Sequence, residues 1–231
     1  MADEPHQPAG PPWPAWSLLE RRVLGVLVEK QKTTPDIYPL SLNALTTGCN
    51  QKSNRDPILD LSDVVVEDTL VGLQKAGLAI RISGGRVEKW RHNLYDAWRV
   101  SKAEMAILAE LLLRGPQTEG ELRSRVQRME PIDDLDQLRV LLQPLAERQL
   151  VIYLSPPGRR GTMLTHGFHP VEELDRLREK WQEGGSEASV TAAPTAALPA
   201  RGPSYEARLA ALEATVAELV EQVRQLKELI E

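Results

Sequence analysis

A capping box at Ser17 and Glu20 opens an apolar run of Leu18, Leu19, Val23, Leu24, Leu27 and Val28, and the same device returns 84 residues later. There Ser101 and Glu104 precede Met105, Ile107, Leu108, Leu111 and Leu112. In such a box the Ser hydroxyl accepts from a free N–H of the first turn, and the Glu carboxylate accepts from the cap N–H. Both spacings therefore predict helix starts. Each helix stops at a polar, proline-marked turn, Thr33-Thr34-Pro35 and Arg114-Gly115-Pro116. A shorter helix follows in each case, one from Ser41 with Leu42 and Leu45 inward, the other from Thr118 with Glu121, Leu122 and Val126. A third helix comes next, over about Asp63 to Ala76 and about Asp133 to Arg148. Val66, Leu70 and Leu73 share a face of the first, and Leu135, Leu138, Leu142 and Leu145 a face of the second. Each third helix leads into a short apolar strand, Leu78 to Ile82 and Leu150 to Leu154, then a Gly-bearing turn, then a returning strand, Arg86 to His92 and Thr162 to His166.

The order helix, helix, helix, strand, turn, strand, met twice, predicts a mainly α fold with small β-wings: tandem winged helix-turn-helix domains, with a C-terminal coiled-coil helix beyond them. The expected boundaries are a disordered tail over 1–16, winged-helix domains over 17–99 and 100–170, a helical extension over 171–183, a flexible linker over 184–203 and a coiled-coil helix over 204–231. Gly184 to Pro203 is Ala, Ser, Gly, Thr and Pro with almost no large apolar side chain, too little to offset the entropy of ordering it.

Charge limits what such a chain can bind. With 28 basic and 33 acidic side chains the net charge is −5, which argues against coating nucleic acid through bulk positive charge and leaves local basic patches open. The negative charge sits at the two ends and the centre is near neutral. One cysteine excludes an internal disulfide framework and a Cys-rich metal site. No apolar stretch approaches the roughly 18 residues of a membrane span, and Met1 to Pro14 has no basic-then-apolar leader pattern. A cytoplasmic protein with no cofactor, no metal and no membrane contact is expected.

Three dense stretches resemble the bacterial YceH-like family, long catalogued as proteins of unknown function. The first is Leu27-Val28-Glu29-Lys30-Gln31 with Thr33-Thr34-Pro35 and Tyr38-Pro39-Leu40-Ser41. The second is Cys49-Asn50-Gln51-Lys52-Ser53-Asn54-Arg55 with Pro57. The third runs from Leu112 to Thr118, then Gly120 to Arg123, with Arg125, Arg128 and Met129. The resemblance covers about residues 18 to 167. It implies tandem winged-helix domains and homodimers, and no established activity. The second hairpin turn, Pro157-Gly158-Arg159-Arg160-Gly161, departs from the family's pattern by losing a later arginine. Residues from about Gly184 onward lie outside the resemblance.

A winged-helix protein normally sets its third helix in the DNA major groove. Here those helices begin Asp63-Val64-Val65-Val66-Glu67-Asp68 and Asp133-Asp134-Leu135-Asp136, which would turn carboxylates toward a polyanion. Acidic residues at helix N-termini have an ordinary structural reason in the helix dipole. Basic groups gather elsewhere. Lys52, Arg55, Arg86, Lys89, Arg91, Arg123, Arg159 and Arg160 are the candidate phosphate contacts, with solvated surface as their plain alternative. The leading functional expectation is a non-enzymatic winged-helix regulator that contacts DNA. The alternative is a protein–protein adaptor that has lost nucleic-acid binding.

No phosphate loop, His-Glu-x-x-His pair or Gly-x-Ser-x-Gly elbow is present, so no enzyme is expected. Cys49 follows an apolar helix and reads as a small buried hydrophobe. The polar loop from Cys49 to Arg55 reads either as a binding surface or as a set of pins for a long connection. At the other end, Tyr205, Leu209, Leu212, Val216, Leu219, Val223, Leu226 and Ile230 alternate in steps of four and three. With Leu209, Val216, Val223 and Ile230 at a and leucines at most d positions, that seam favours a parallel two-stranded coil. A dimer through this seam is expected, with packing back onto the chain's own domains as the other use of the stripe.

Overall fold

The computed structural model describes residues 13–85, 87–159 and 161–183, and the expected coiled coil of 204–231 lies outside them. The first half runs α1 (Leu18–Thr33), a short 3-10 turn (Pro35–Ile37), β1 (Leu40–Ser41), α2 (Leu42–Cys49), α3 (Asp63–Lys75), β2 (Ala79–Ile82), β3 (Lys89–His92) and α4 (Leu94–Trp98). The second half runs α5 (Lys102–Arg114), β4 (Gln117–Thr118), α6 (Glu119–Val126), α7 (Leu135–Glu147), β5 (Val151–Tyr153), β6 (Met163–His166) and α8 (Val171–Glu183). The described residues are mainly helical with two small antiparallel sheets, ordered β1-β3-β2 and β4-β6-β5.

Local chemistry sets the helix starts. Ser17, Ser101 and Thr118 each form a complete capping box with the Glu three residues on, and Ser41, Ser62 and Asp134 cap their helices from the side chain. Each such cap contributes about 1 kcal/mol. The expected α7 start at Asp133 moves to Leu135 because Asp134, two residues before Asp136, is the residue that accepts from the Gln137 N–H.

Packing reveals more than the pattern predicted. Residues 21 to 29 of α1 and 105 to 113 of α5 are all buried. A helix apolar on one stripe covers one core; one buried all round must be covered on every side. The two helices lie against each other, with Gly25 as the close approach: a Cβ there would stand 2.8 Å from Leu113 Cγ. One continuous core therefore runs through both halves, from Leu24, Leu27 and Leu45 to Ile107, Leu122 and Leu142. Each fully buried Leu or Ile contributes roughly 1.5–3 kcal/mol. Trp16 joins the halves again. Its ring stacks 4.1 Å from Phe168 and 5.4 Å from Trp98, and its backbone N–H donates to the Phe168 carbonyl.

The halves also repeat in detail. His92 and His166 end β3 and β6, and each Nδ1 accepts from the N–H two residues on, Leu94 or Phe168, at 3.2 Å. Asn93 N–H donates to Leu78 O and Gly167 N–H to Leu150 O, both at 2.8 Å. At Gly167 the approach is so close that a Cβ would lie 1.8 Å from the Gln149 carbonyl oxygen. No side-chain motion relieves a clash with backbone, so Gly167→Ala is expected to cost about 3 kcal/mol or more, at the upper end for overpacking. Urea denaturation checks it, and a midpoint equal to wild type would show that the backbone yields. Among the described residues no helix is long and apolar enough to cross a membrane.

Candidate functional site

The polar loop between α2 and α3 wraps a buried ionic cluster where the halves meet. Glu29 on α1 and Glu110 on α5 are both buried. Arg55, in the loop, donates Nη1 to Glu29 Oε1 at 3.1 Å, Nε to the Gly48 carbonyl at 3.0 Å and Nη2 to Gln51 Oε1 at 2.9 Å, and its Nη2 also pairs with Glu29 Oε2. Arg128, just beyond α6, reaches in from the second half to pair with Glu29 and, at 3.0 Å, with Glu110. Arg114 stands 3.2 Å from Glu110 and donates to Asn54 Oδ1 at 2.7 Å. Asn50 bridges the loop by accepting from the Leu61 N–H and donating to the Leu61 carbonyl, both at 2.8 Å. Asp56 N–H donates to the Leu113 carbonyl of α5. Burial by itself would raise the Glu29 carboxyl, but the Arg55 and Arg128 guanidiniums outweigh it and hold the group below the usual carboxylate range.

Arg55, expected among phosphate contacts, is buried and gives its five N–H donors to both Glu29 oxygens, Gln51 and the Gly48 and Asn54 carbonyls, which leaves none for a phosphate. Cys49 is fully buried, and burial pushes its thiol up to about 12, so it packs as a small hydrophobe. Arg22 is fully buried as well, donating to the Cys49 and Pro57 carbonyls. Burial, with Arg55 nearby, brings it down to about 10. No motif pointed to Arg22, and only the geometry finds it.

The remaining candidates are dispersed. Lys89 and Arg91 are exposed on β3, opposite Ile82 and Ile80 of β2, with Trp90 buried between them. Arg81 pairs with Glu88 and covers the Trp90 ring. Arg123 donates to the Ile132 and Asp133 carbonyls and so pins the α6–α7 connection. Lys52 is exposed beside the ionic cluster and Arg159 is exposed on the second hairpin turn; Arg86 and Arg160 lie outside the described residues.

Two buried histidine sites add a measurable consequence. His92 Nε2 lies 2.7 Å from Gln31 Oε1 while Nδ1 accepts from Leu94, so both nitrogens are satisfied in the neutral ring. Burial, with Arg91 and Lys32 adding to it, pushes His92 down to about 4. His166 and His169 stack 3.9 Å apart against Arg21, which pairs with Glu173 of α8. Burial brings His169 to about 4 and His166 well below its ordinary value. The unfolded chain therefore binds these protons more readily than the folded one. Their contribution is complete above about pH 6.5 and is lost as pH falls toward 4. Between pH 7 and 5 His92 alone should lose about 2 kcal/mol by this linkage. Urea midpoints measured across that window should fall for the wild type and fall less for His92→Gln.

A family model described as "Protein of unknown function, DUF480" matches residues 16–159. The chain belongs to that family. A UPF0502 protein of Rhodopirellula baltica is 47% identical over 189 residues, covering 80% of this chain and 79% of its own. One from Geobacter sulfurreducens is 52% identical over 152 residues, 64% of this chain and 69% of its own. One from Pseudoalteromonas atlantica is 36% identical over 220 residues, 92% of this chain and 95% of its own. This agrees with the uncharacterised bacterial family read from the motifs. The span of the family model, residues 16–159, agrees with the stretch of about 18 to 167 in which the resemblance is read, and the alignment with the Pseudoalteromonas relative runs on beyond it.

Proposed function

We propose that each half is a winged-helix unit and that the protein is a non-enzymatic adaptor whose α3 and α7 meet protein partners rather than the DNA groove. Support for the winged-helix reading is the shared order of helices and the matching three-stranded sheets, β1-β3-β2 and β4-β6-β5. The observation that carries the adaptor reading is the outward face of those third helices. On α3, Val64 is 68% exposed and stands among exposed Asp63, Val65, Glu67 and Asp68. On α7, Val140 is 70% exposed, with exposed Leu135, Asp136 and Gln137 nearby. The Arg139 guanidinium there is held by Glu119 and Asp136. Groove reading needs free donors and cations at these positions, whereas apolar side chains rimmed by charge suit a protein surface. The heptad stripe of 205–231 then pairs two copies of the chain.

A second reading keeps DNA contact through the first hairpin, favoured by Lys89 and Arg91 side by side on the exposed face of β3. The two are separated by affinity capture from native lysate with nuclease, comparing wild type, Val64→Arg with Val140→Arg, and Lys89→Ala with Arg91→Ala. The adaptor predicts partners that survive nuclease and are lost only with the valine changes. DNA contact predicts duplex binding whose salt slope falls by about one for each basic residue removed.

A further inference from the structure

An open cleft of about 770 Å³ lies against the ionic cluster, lined by Lys30 and Thr33 of α1, by Gln51, Lys52 and Ser53 of the loop, and by Arg128 from the second half. Its volume falls within the range of small-molecule sites, roughly 300–1,000 Å³. The charge around it does not balance. Of the groups that line it, Lys30, Lys32, Lys52 and Arg128 are cationic and Glu29 is anionic, and Glu29 is shared with Arg55 while Arg128 is shared with Glu110.

The cleft mouth adds to the surplus. Lys32 is matched by Glu130 at 2.8 Å. Among the described residues, neither Lys30 nor Lys52 has a carboxylate partner, although the whole chain carries an excess of acid. Neutral donors stand with them. Gln51 spends its oxygen on Arg55, which leaves its amide hydrogens for a ligand, and the Ser53 hydroxyl lines the same wall, whereas Thr33 donates its own to the Glu29 carbonyl.

We propose that this cleft binds a small phosphate-bearing anion of nucleotide size, held by Lys30, Lys52 and Arg128. A polyphosphate chain matches a concave site with several separated cations, and guanidinium groups bind phosphate oxygens through paired, charge-assisted hydrogen bonds. Because Arg128 comes from one half and the loop from the other, the bound anion also ties the two halves. The proposal is independent of the role assigned to α3 and α7.

The test is calorimetric titration of the full chain with inorganic pyrophosphate, with ATP and with a 20-base-pair duplex, at about 50 and 150 mM salt. Saturable pyrophosphate or ATP binding is expected, with a rise in melting temperature as the anion is added. Lys30→Ala with Lys52→Ala, both at the cleft mouth and outside the buried pairs, should weaken it at least about tenfold, while Lys89→Ala with Arg91→Ala leaves it unchanged. No saturation by either probe at about 10 mM overturns the proposal. So does an affinity indifferent to the two cleft lysines, or binding of the duplex alone.

Discussion

Glu29→Gln is expected to destabilise the protein by about 3–5 kcal/mol, the range for breaking one side of a buried ion pair. Glu29 is 2% exposed and receives guanidinium groups from Arg55, itself buried, and from Arg128. The glutamine keeps the shape but replaces one carboxylate oxygen by an amide donor. That donor faces guanidinium donors, so Arg55 keeps its charge, its burial and no counter-charge. Because Arg55 also holds the Gly48 carbonyl and Gln51, the loop's other anchors should loosen with it. Glu130→Gln is the control. Its Lys32 pair sits nearer solvent on the acid side, and about 1 kcal/mol or less is expected there. Urea denaturation of both variants at pH 7 gives the comparison. A Glu29→Gln midpoint within about 1 kcal/mol of wild type would show that the cluster does not hold the halves in register.

Leu219→Asp is expected to abolish self-association of the C-terminal segment. The seam of 205–231 has branched side chains at three of its four a positions and leucine at three of four d positions, the pairing that suits two parallel strands. As a helix the 27 residues would span about 40 Å, and a helix of that length needs a packed partner to persist in water. Leu219 lies mid-seam, so an aspartate there would be desolvated with no partner. Sedimentation equilibrium on a 204–231 peptide, over about 10–500 μM, should find a dimer for wild type and an unstructured monomer for the variant. A wild-type peptide that stays monomeric would leave the stripe to pack elsewhere. In the full chain Leu219→Asp is expected to leave residues 13–183 folded, with an unchanged urea midpoint as the check.

Helix starts were legible because caps are local. Ser17 with Glu20, Ser101 with Glu104 and Thr118 with Glu121 each satisfy their own first turn, so three residues of sequence suffice. The apolar faces of α3 and α7 were legible for the same reason: Val66, Leu70 and Leu73 recur at helical spacing, and so do Leu138, Leu142 and Leu145. The exposed Val64 and Val140 break that spacing, and the sequence already showed the acidic residues beside them. The two-residue strands β1 and β4 and the short α4 were not anticipated. A strand of two residues carries no alternation of its own and exists only because β3 or β6 lies alongside.

The sequence by itself determined the duplicated order of elements, where most of them begin, the membership of an uncharacterised bacterial family and the packed state of Cys49. Tertiary structure alone decided the site. Arg21, Arg22, Glu29 and Arg55 look like solvated charges in a local window, because polarity is all a window records. They are buried because distant groups meet them: Glu173 pairs with Arg21 and Arg128 with Glu29, while Arg55 holds Glu29 and the Gly48 carbonyl and Arg22 the Cys49 and Pro57 carbonyls, each across a turn of the chain. Long-range complementarity between two charged groups leaves no periodic trace in either neighbourhood. The fusion of both halves into one core, through α1 and α5 at Gly25, is hidden for the same reason: each helix shows its own apolar stripe, and only contact reveals that the opposite face is covered too.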